Sequence, residues 1–255
     1  MHLRAETLKV SLTADVQRTI RTRELIEDLL ADPRQLGPDY QPIRRIDDRG
    51  IVGYKATGRG RAGTELADTL ALLEQAQTLG LVERLDWAFR ALAFEDFAGR
   101  TDIELHLTPE PETYGTLCPP RLAAAFGRAK RELTVAAEMH AATFRDPALV
   151  RRGVAELREW GWLLVAADVA DDAAALEQLS TLRPDVVQVD LSLPGRTTDP
   201  THSGVRRLLA IAAESGARLM ALGVDSMGAV TTARALGCVV GRGSALGAPG
   251  PLPTL

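Results

Sequence analysis

From residue 40 onward the chain alternates short strand-like runs with longer helix-like ones, and this alternation limits its fold more than any other feature. The strand-like runs are Tyr40–Ile46, Ile51–Thr57, Ile103–Thr108, Leu133–Ala137, Leu163–Asp168, Val186–Leu191, Arg218–Gly223 and Cys238–Gly241. Helical spacing marks Glu65–Leu79, Leu85–Phe97, Pro120–Arg131, Pro147–Trp160, Ala173–Leu182, Ser203–Ser215 and Ser226–Leu236. The first two strands are joined by Asp47-Asp48-Arg49-Gly50, a hairpin-type turn, which predicts an antiparallel pair. Every later strand is preceded or followed by a helix of crossover length, and only a crossover lets neighbouring strands run parallel. The order predicts an α/β fold: a modified TIM-type (β/α) barrel with an antiparallel first strand pair. An open doubly wound sheet is the alternative.

Ahead of these elements, Leu25, Ile26, Leu29 and Leu30 form a helical stripe that Asp32-Pro33 should stop. Residues 1–22 read as an N-terminal extension, helical in character, and residues 23–255 as the barrel domain. The N-terminus has no continuous apolar stretch of the secretory kind, and no run approaches 18 apolar residues, so the expected location is cytoplasmic, with no membrane contact. Thirty basic against 34 acidic residues leave a net charge of −4, which gives nucleic acid no global basic surface, and no direct nucleic-acid binding is expected. The two cysteines, Cys118 and Cys238, have neither the number nor the spacing of a disulfide scaffold or a cysteine zinc site. Cys118 reads as a loop thiol and Cys238 as core, while Trp87, Trp160 and Trp162 are spaced like packing residues.

In a barrel of this kind the chemistry sits at the C-terminal ends of the strands. There the residues carry a resemblance. Tyr40-Gln41-Pro42-Ile43, a turn, and Gly53-Tyr54-Lys55-Ala56-Thr57-Gly58-Arg59 resemble the opening of an EAL domain. Further matches follow in order: Leu85-Asp86-Trp87, Glu156 to Gly161, Leu182 to Asp190, Ala221 to Asp225, Ala235 to Cys238, and a close at Gly243 followed by Ala245 to Pro249. The resemblance spans about residues 23–252. It implies kinship with the cyclic di-GMP phosphodiesterases and their inactive relatives. In the active members, strand-end Glu, Asn, Glu and Asp side chains hold divalent cations that activate water, and a Lys assists.

Measured against that pattern, this chain departs at most of the metal-binding positions. Lys55 stands where the signature Glu would be, and His106 replaces the Asn. Ala137 faces the second Glu position, unless the register shifts by one and brings Glu138 there. Ala167 replaces the first Asp of the following loop and Asp168 keeps the second. Gln188 replaces the Lys, Leu222 the next Glu and Arg242 a Gln, while Asp225 can still offer a carboxylate. The loop after Asp168 has become the helix-prone run 169–174. A divalent ion needs nearby oxygen anions to offset its lost hydration, and a lysine in their midst reverses the sign of the interaction. The expectation is no metal, no cofactor and no catalytic residue.

The family's phosphate-contacting arginine is kept as Arg59. With Lys55 and Arg242 it suggests an anion site that works without metal, and Gln41, Asp168, Gln188, Asp190 and Asp225 complete the candidate ligand-binding set. The expected ligand is a nucleotide or cyclic dinucleotide, with signalling by binding. Against this, Lys55 and Arg242 could be solvated or paired with Asp168, Asp190 or Asp225, and Arg59 could serve a structural ion pair. The ligand site would then be vestigial, and the protein would regulate a protein partner such as a transcription or signalling factor, with residues 1–20 and 169–174 as contact surfaces. A homodimer is also expected from the resemblance. A metal role for His106 and His140 with Asp168 is the weaker reading, because strand-end histidines usually find local hydrogen bonds.

Overall fold

The structure is a computed structural model that describes residues 2–140, 143, 146–169, 173–192 and 203–254. Eight strands close into a barrel in sequence order: β1 Asp39–Arg45, β2 Ile51–Thr57, β3 Glu104–Leu107, β4 Thr134–His140, β5 Leu163–Ala167, β6 Val186–Asp190, β7 Arg218–Leu222 and β8 Val240–Gly241. β1 is antiparallel to both β2 and β8, and all other neighbours are parallel, so the predicted barrel with its inverted first strand is the one found and the open sheet is not. The β1–β2 turn closes with the Gly50 N–H donating to Asp48 Oδ1 at 2.8 Å, and Arg49 takes a left-handed φ of 60°.

The helices are α1 His2–Ala31, α2 Thr69–Leu79, α3 Val82–Asp96, α4 Ala123–Glu132, α5 Pro147–Trp160, α6 Ala173–Leu182, α7 Ser203–Ser215 and α8 Met227–Ala235. α1 runs unbroken through position 22, and toward its C-terminal end Ile26, Leu29 and Leu30 are buried and pack with Leu72, Leu85 and Ala88 of α2 and α3. α2 starts at Thr69, later than its apolar spacing suggests, because Asp68 caps it by accepting from the Leu70 and Ala71 N–H groups. α5 begins at Pro147 behind the Asp146 cap and ends at Gly161, whose φ of 74° suits the left-handed C-terminal position. Cys238 is buried, as read, but lies just before β8 and not in it.

Two apolar layers follow from the two-residue pleat. Ile43, Ala136, Val165, Val186, Met220 and Val240, one from each of six strands, form the small cluster inside the barrel. Their neighbours in sequence, including Val135, Ala137, Leu164, Ala166, Val187, Val189 and Ala221, face outward and pack beneath the helices. Trp87 and Trp162 are fully buried, and Phe126 and Trp160 meet them edge to face, with ring centroids 4.9–6.0 Å apart, so the tryptophans are packing residues. Among the described residues, no helix is long and apolar enough to cross a membrane.

Candidate functional site at the barrel mouth

The alternation that sorts the core also sorts the site. Tyr54 and Ala56 pack outward, so Lys55 faces in; Leu105 and Leu107 pack outward, so Glu104 and His106 face in. On β4, Ala136 belongs to the inner cluster and Ala137 to the outer, which turns Glu138 inward with Ala136. Ala137 therefore does not occupy the mouth, and Glu138 does. β4 also runs on to His140, three residues past its expected end. The stretch Val135-Ala136-Ala137-Glu138-Met139 has no polar–apolar alternation to reveal this, because both alanines fit either face.

Glu138 is the centre of the mouth. Its carboxylate lies 2.9 Å from Lys55 Nζ and 3.7 Å from Arg242 Nη2, and its other oxygen lies 3.5 Å from His106 Nδ1. Lys55, His106 and Glu138 are all nearly inaccessible, at 6%, 1% and 1% exposure. Lys55 also donates to the Thr108 hydroxyl. Burial opposes ionisation of Glu138, but Lys55, the His106 contact and Arg242 outweigh it and hold the carboxyl well below its usual range. Burial lowers Lys55 from the ordinary lysine value while Glu138 pulls it back up. Below them the polar contacts continue: His106 Nε2 lies 3.1 Å from Glu104, and Glu104 pairs with Arg218 at 2.8 Å.

The remaining candidates divide. Arg242 Nη1 donates to Gln41 Oε1 at 3.3 Å, and Gln41 donates to the Gly247 carbonyl, so Arg242 joins Lys55 at Glu138 with Gln41 behind it. Gln188 is 3% exposed and shares the inward face of β6 with Val186. Gln188 Oε1 and Nε2, Glu138 Oε1, His106 Nδ1 and Arg242 Nε are buried with no hydrogen-bond partner among the described residues. Arg59 stands apart: its half-exposed guanidinium pairs with Asp39 at 2.6 Å and does not converge on Glu138. Asp168, with an unusual φ of 55°, sits 2.7 Å from His140 Nδ1, which holds its carboxyl below the normal range. Asp190 and Asp225 each accept two hydrogen bonds from a nearby serine, Ser192 and Ser244 respectively. The pairing foreseen for Lys55 and Arg242 with Asp168, Asp190 or Asp225 is thus replaced by pairing with Glu138. Of the run 169–174, residues 170–172 lie outside the described residues.

A cavity of about 220 Å³ opens beside Lys55, between the ends of β2 and β3 and the helices α2 and α3. Phe89 can wall it because Gly58 has no side chain; a Cβ there would come 2.4 Å from the ring. Asp86 and Arg90 form a buried ion pair at its edge, and Glu110 reaches it from the loop after β3. These three were not singled out as ligand-facing, although the i,i+4 spacing of Asp86 and Arg90 on a helix is a legible pairing signal.

The family model described as the EAL domain matches residues 23–249. The chain belongs to the EAL domain family. No curated protein matches the sequence. Solved EAL structures share the fold at low identity. The EAL domain of Xanthomonas citri FimX, in complex with c-diGMP, is 17% identical with a TM-score of 0.78, over 95% of this chain and 98% of that one. The EAL enzyme Bd1971, bound to cAMP and cyclic-di-GMP, is 15% identical with a TM-score of 0.75, over 98% and 70%. The Bacillus subtilis YkuI protein, in complex with c-di-GMP and calcium, is 18% identical with a TM-score of 0.68, over 89% and 58%. Among the described residues of this EAL domain, no three His, Cys, Asp or Glu side chains gather as a metal site would require.

Proposed function

We propose that this EAL domain binds a nucleotide or similar organic anion at its barrel mouth without a divalent metal, and signals by binding instead of hydrolysing. The observation that carries the reading is the Lys55 ammonium seated on Glu138 at 2.9 Å. A tethered cation already neutralises the Glu138 carboxylate at the centre of the mouth. A divalent ion placed there would meet Lys55 and Arg242 at close range, where a unit-charge contact at 4 Å is worth about 4 kcal/mol at an effective dielectric of 20. Among the described residues, the donors at the mouth do not fit a metal pair. The unpartnered polar atoms of Gln188 and Arg242 favour a polar ligand, because a buried polar group without a partner costs about 1–3 kcal/mol. The candidate contacts are Lys55, Arg242, Gln41 and Gln188, with Arg59, Asp168, Asp190 and Asp225 at the rim.

A second reading has its own support. Arg59, Asp168, Asp190 and Asp225 are each engaged with a neighbour, as in a mouth that no longer receives a ligand. The protein would then act on a partner protein, with residues 1–20 as a contact surface. Calorimetric titration with cyclic di-GMP in the presence of a chelator separates the two. Heat of binding, and a transition stabilised by about 2.7 kcal/mol at 100 times the dissociation constant, supports the receptor. Absence of both favours the partner regulator, and turnover of cyclic di-GMP in Mg²⁺ or Mn²⁺ refutes both.

A further inference from the structure

The walls of the cavity beside Lys55 are of two kinds. Phe89, Leu73 and Leu107 are apolar, whereas Lys55, Asp86, Arg90 and Glu110 bring charge to it. Three of those charges are committed. Lys55 is held by Glu138, and Asp86 and Arg90 hold each other. Arg90 is 3% exposed, its guanidinium lies 4.0 Å from the centroid of the Trp87 ring, and its Nε has no hydrogen-bond partner among the described residues. A buried donor left over in a cavity wall points to a ligand acceptor. Glu110 is the uncommitted charge, since its carboxyl makes no hydrogen bond or ion pair among the described residues.

We propose that this cavity takes up an organic anion together with one proton, the proton residing on Glu110. The inference rests on the reading of the mouth as an anion receptor and adds how that binding is regulated. The apolar walls suit an anion with a flat aromatic body, of which a nucleotide is one. The balance is simple: the Glu110 carboxylate, a proton and the anion give a neutral carboxylic acid beside the bound anion, and no bond in the ligand changes. Ionised, Glu110 would face the anion as a like charge; protonated, it offers an O–H donor. The groups facing it are Asp86 from α3, Glu112 from the following turn, His140 from β4 and Lys55 from β2. Burial, Asp86 and Glu112 push the Glu110 carboxyl up to about 7, against His140 and Lys55. The proton is therefore exchanged in the neutral range.

The test is calorimetric titration of the full chain with cyclic di-GMP, chelator present, at about pH 6 and about pH 8, in buffers of different ionisation heat. A carboxyl with a midpoint near 7 is about nine-tenths protonated at the lower pH and about one-tenth at the higher, so affinity should fall about tenfold. Proton uptake should appear as a buffer-dependent enthalpy at the higher pH. Glu110→Gln should bind at both pH values with the affinity of the acid form and take up no proton. Equal affinity at both pH values, or a tenfold fall that persists in Glu110→Gln, overturns the inference while leaving the receptor reading intact. No heat at either pH overturns both.

Discussion

Replacing Lys55 by methionine tests the charge arrangement at its centre. The substitution keeps the length and apolar stem of the side chain and removes only the ammonium. Glu138, 1% exposed, would lose a partner at 2.9 Å, a contact worth about 6 kcal/mol at an effective dielectric of 20. Arg242 at 3.7 Å remains and supplies about 4.5 kcal/mol on the same scale, so Glu138 is weakened but not abandoned. Breaking a buried pair on one side ordinarily costs about 3–5 kcal/mol, and the surviving arginine places Lys55→Met at the lower end, about 3 kcal/mol. Removing both partners, as Lys55→Met with Glu138→Leu, leaves no stranded carboxylate and should return to within about 1 kcal/mol of the parent. Urea denaturation at neutral pH measures all three. The pH dependence has a definite sign. The depressed carboxyl of Glu138 contributes stability above its unfolded value, and that contribution is lost as pH falls through its folded value. Without Lys55 the folded value rises, so the deficit of Lys55→Met should narrow under acid conditions. A single variant within about 1 kcal/mol of the parent, or a double variant as unstable as the single, would refute the reasoning.

The other predictions follow from neighbouring observations. Lys55→Glu sets a second carboxylate against Glu138; it should be destabilised at neutral pH and regain melting temperature in Mg²⁺ or Mn²⁺ while the parent does not respond, and a variant indifferent to both ions would show that Lys55 does not stand in for a cation. Leu85→Ala empties a fully buried position between α1, α2 and α3 and should cost about 2–5 kcal/mol in urea denaturation; a loss under about 1 kcal/mol would mean that these helices are not packed as described. Asp185 accepts both the exposed Arg158 guanidinium at 2.6 Å and the Leu164 N–H at 2.8 Å. Arg158→Ala should therefore cost less than about 1 kcal/mol and Asp185→Ala about 1–3 kcal/mol, and equal losses would contradict that division.

The sequence was most legible where side-chain type and local geometry agree. The Asp-Asp-Arg-Gly turn forces the first pair antiparallel, and the closed barrel follows from the strand and helix order. Helix starts were less legible, because α2 obeys its Asp68 cap while apolar spacing begins earlier. At the mouth, Lys55 and Arg242 were read at strand ends and both reach Glu138, whereas Gln41 came from the opening motif and accepts from Arg242. Arg59 was grouped with them on motif alone, and its ion pair with Asp39 depends on how β1 and the end of β2 lie side by side, with Asp39 opposite Thr57. Cavity residues Asp86, Arg90 and Glu110 come from a helix and a loop whose approach to β2 no local pattern encodes.

By itself, then, the order of residues determined the barrel and placed a lysine near the end of its second strand. Only the tertiary structure decided what that lysine faces. Both Ala136 and Ala137 fit an inner or an outer layer, so the face of β4 is set by the pairing of that strand with β3 and β5. That register turns Glu138 inward, 2.9 Å from Lys55, and makes a buried ion pair of two residues 83 positions apart in the chain. Charges so distant in sequence acquire their strength from shared burial, and burial is a property of the closed barrel as a whole.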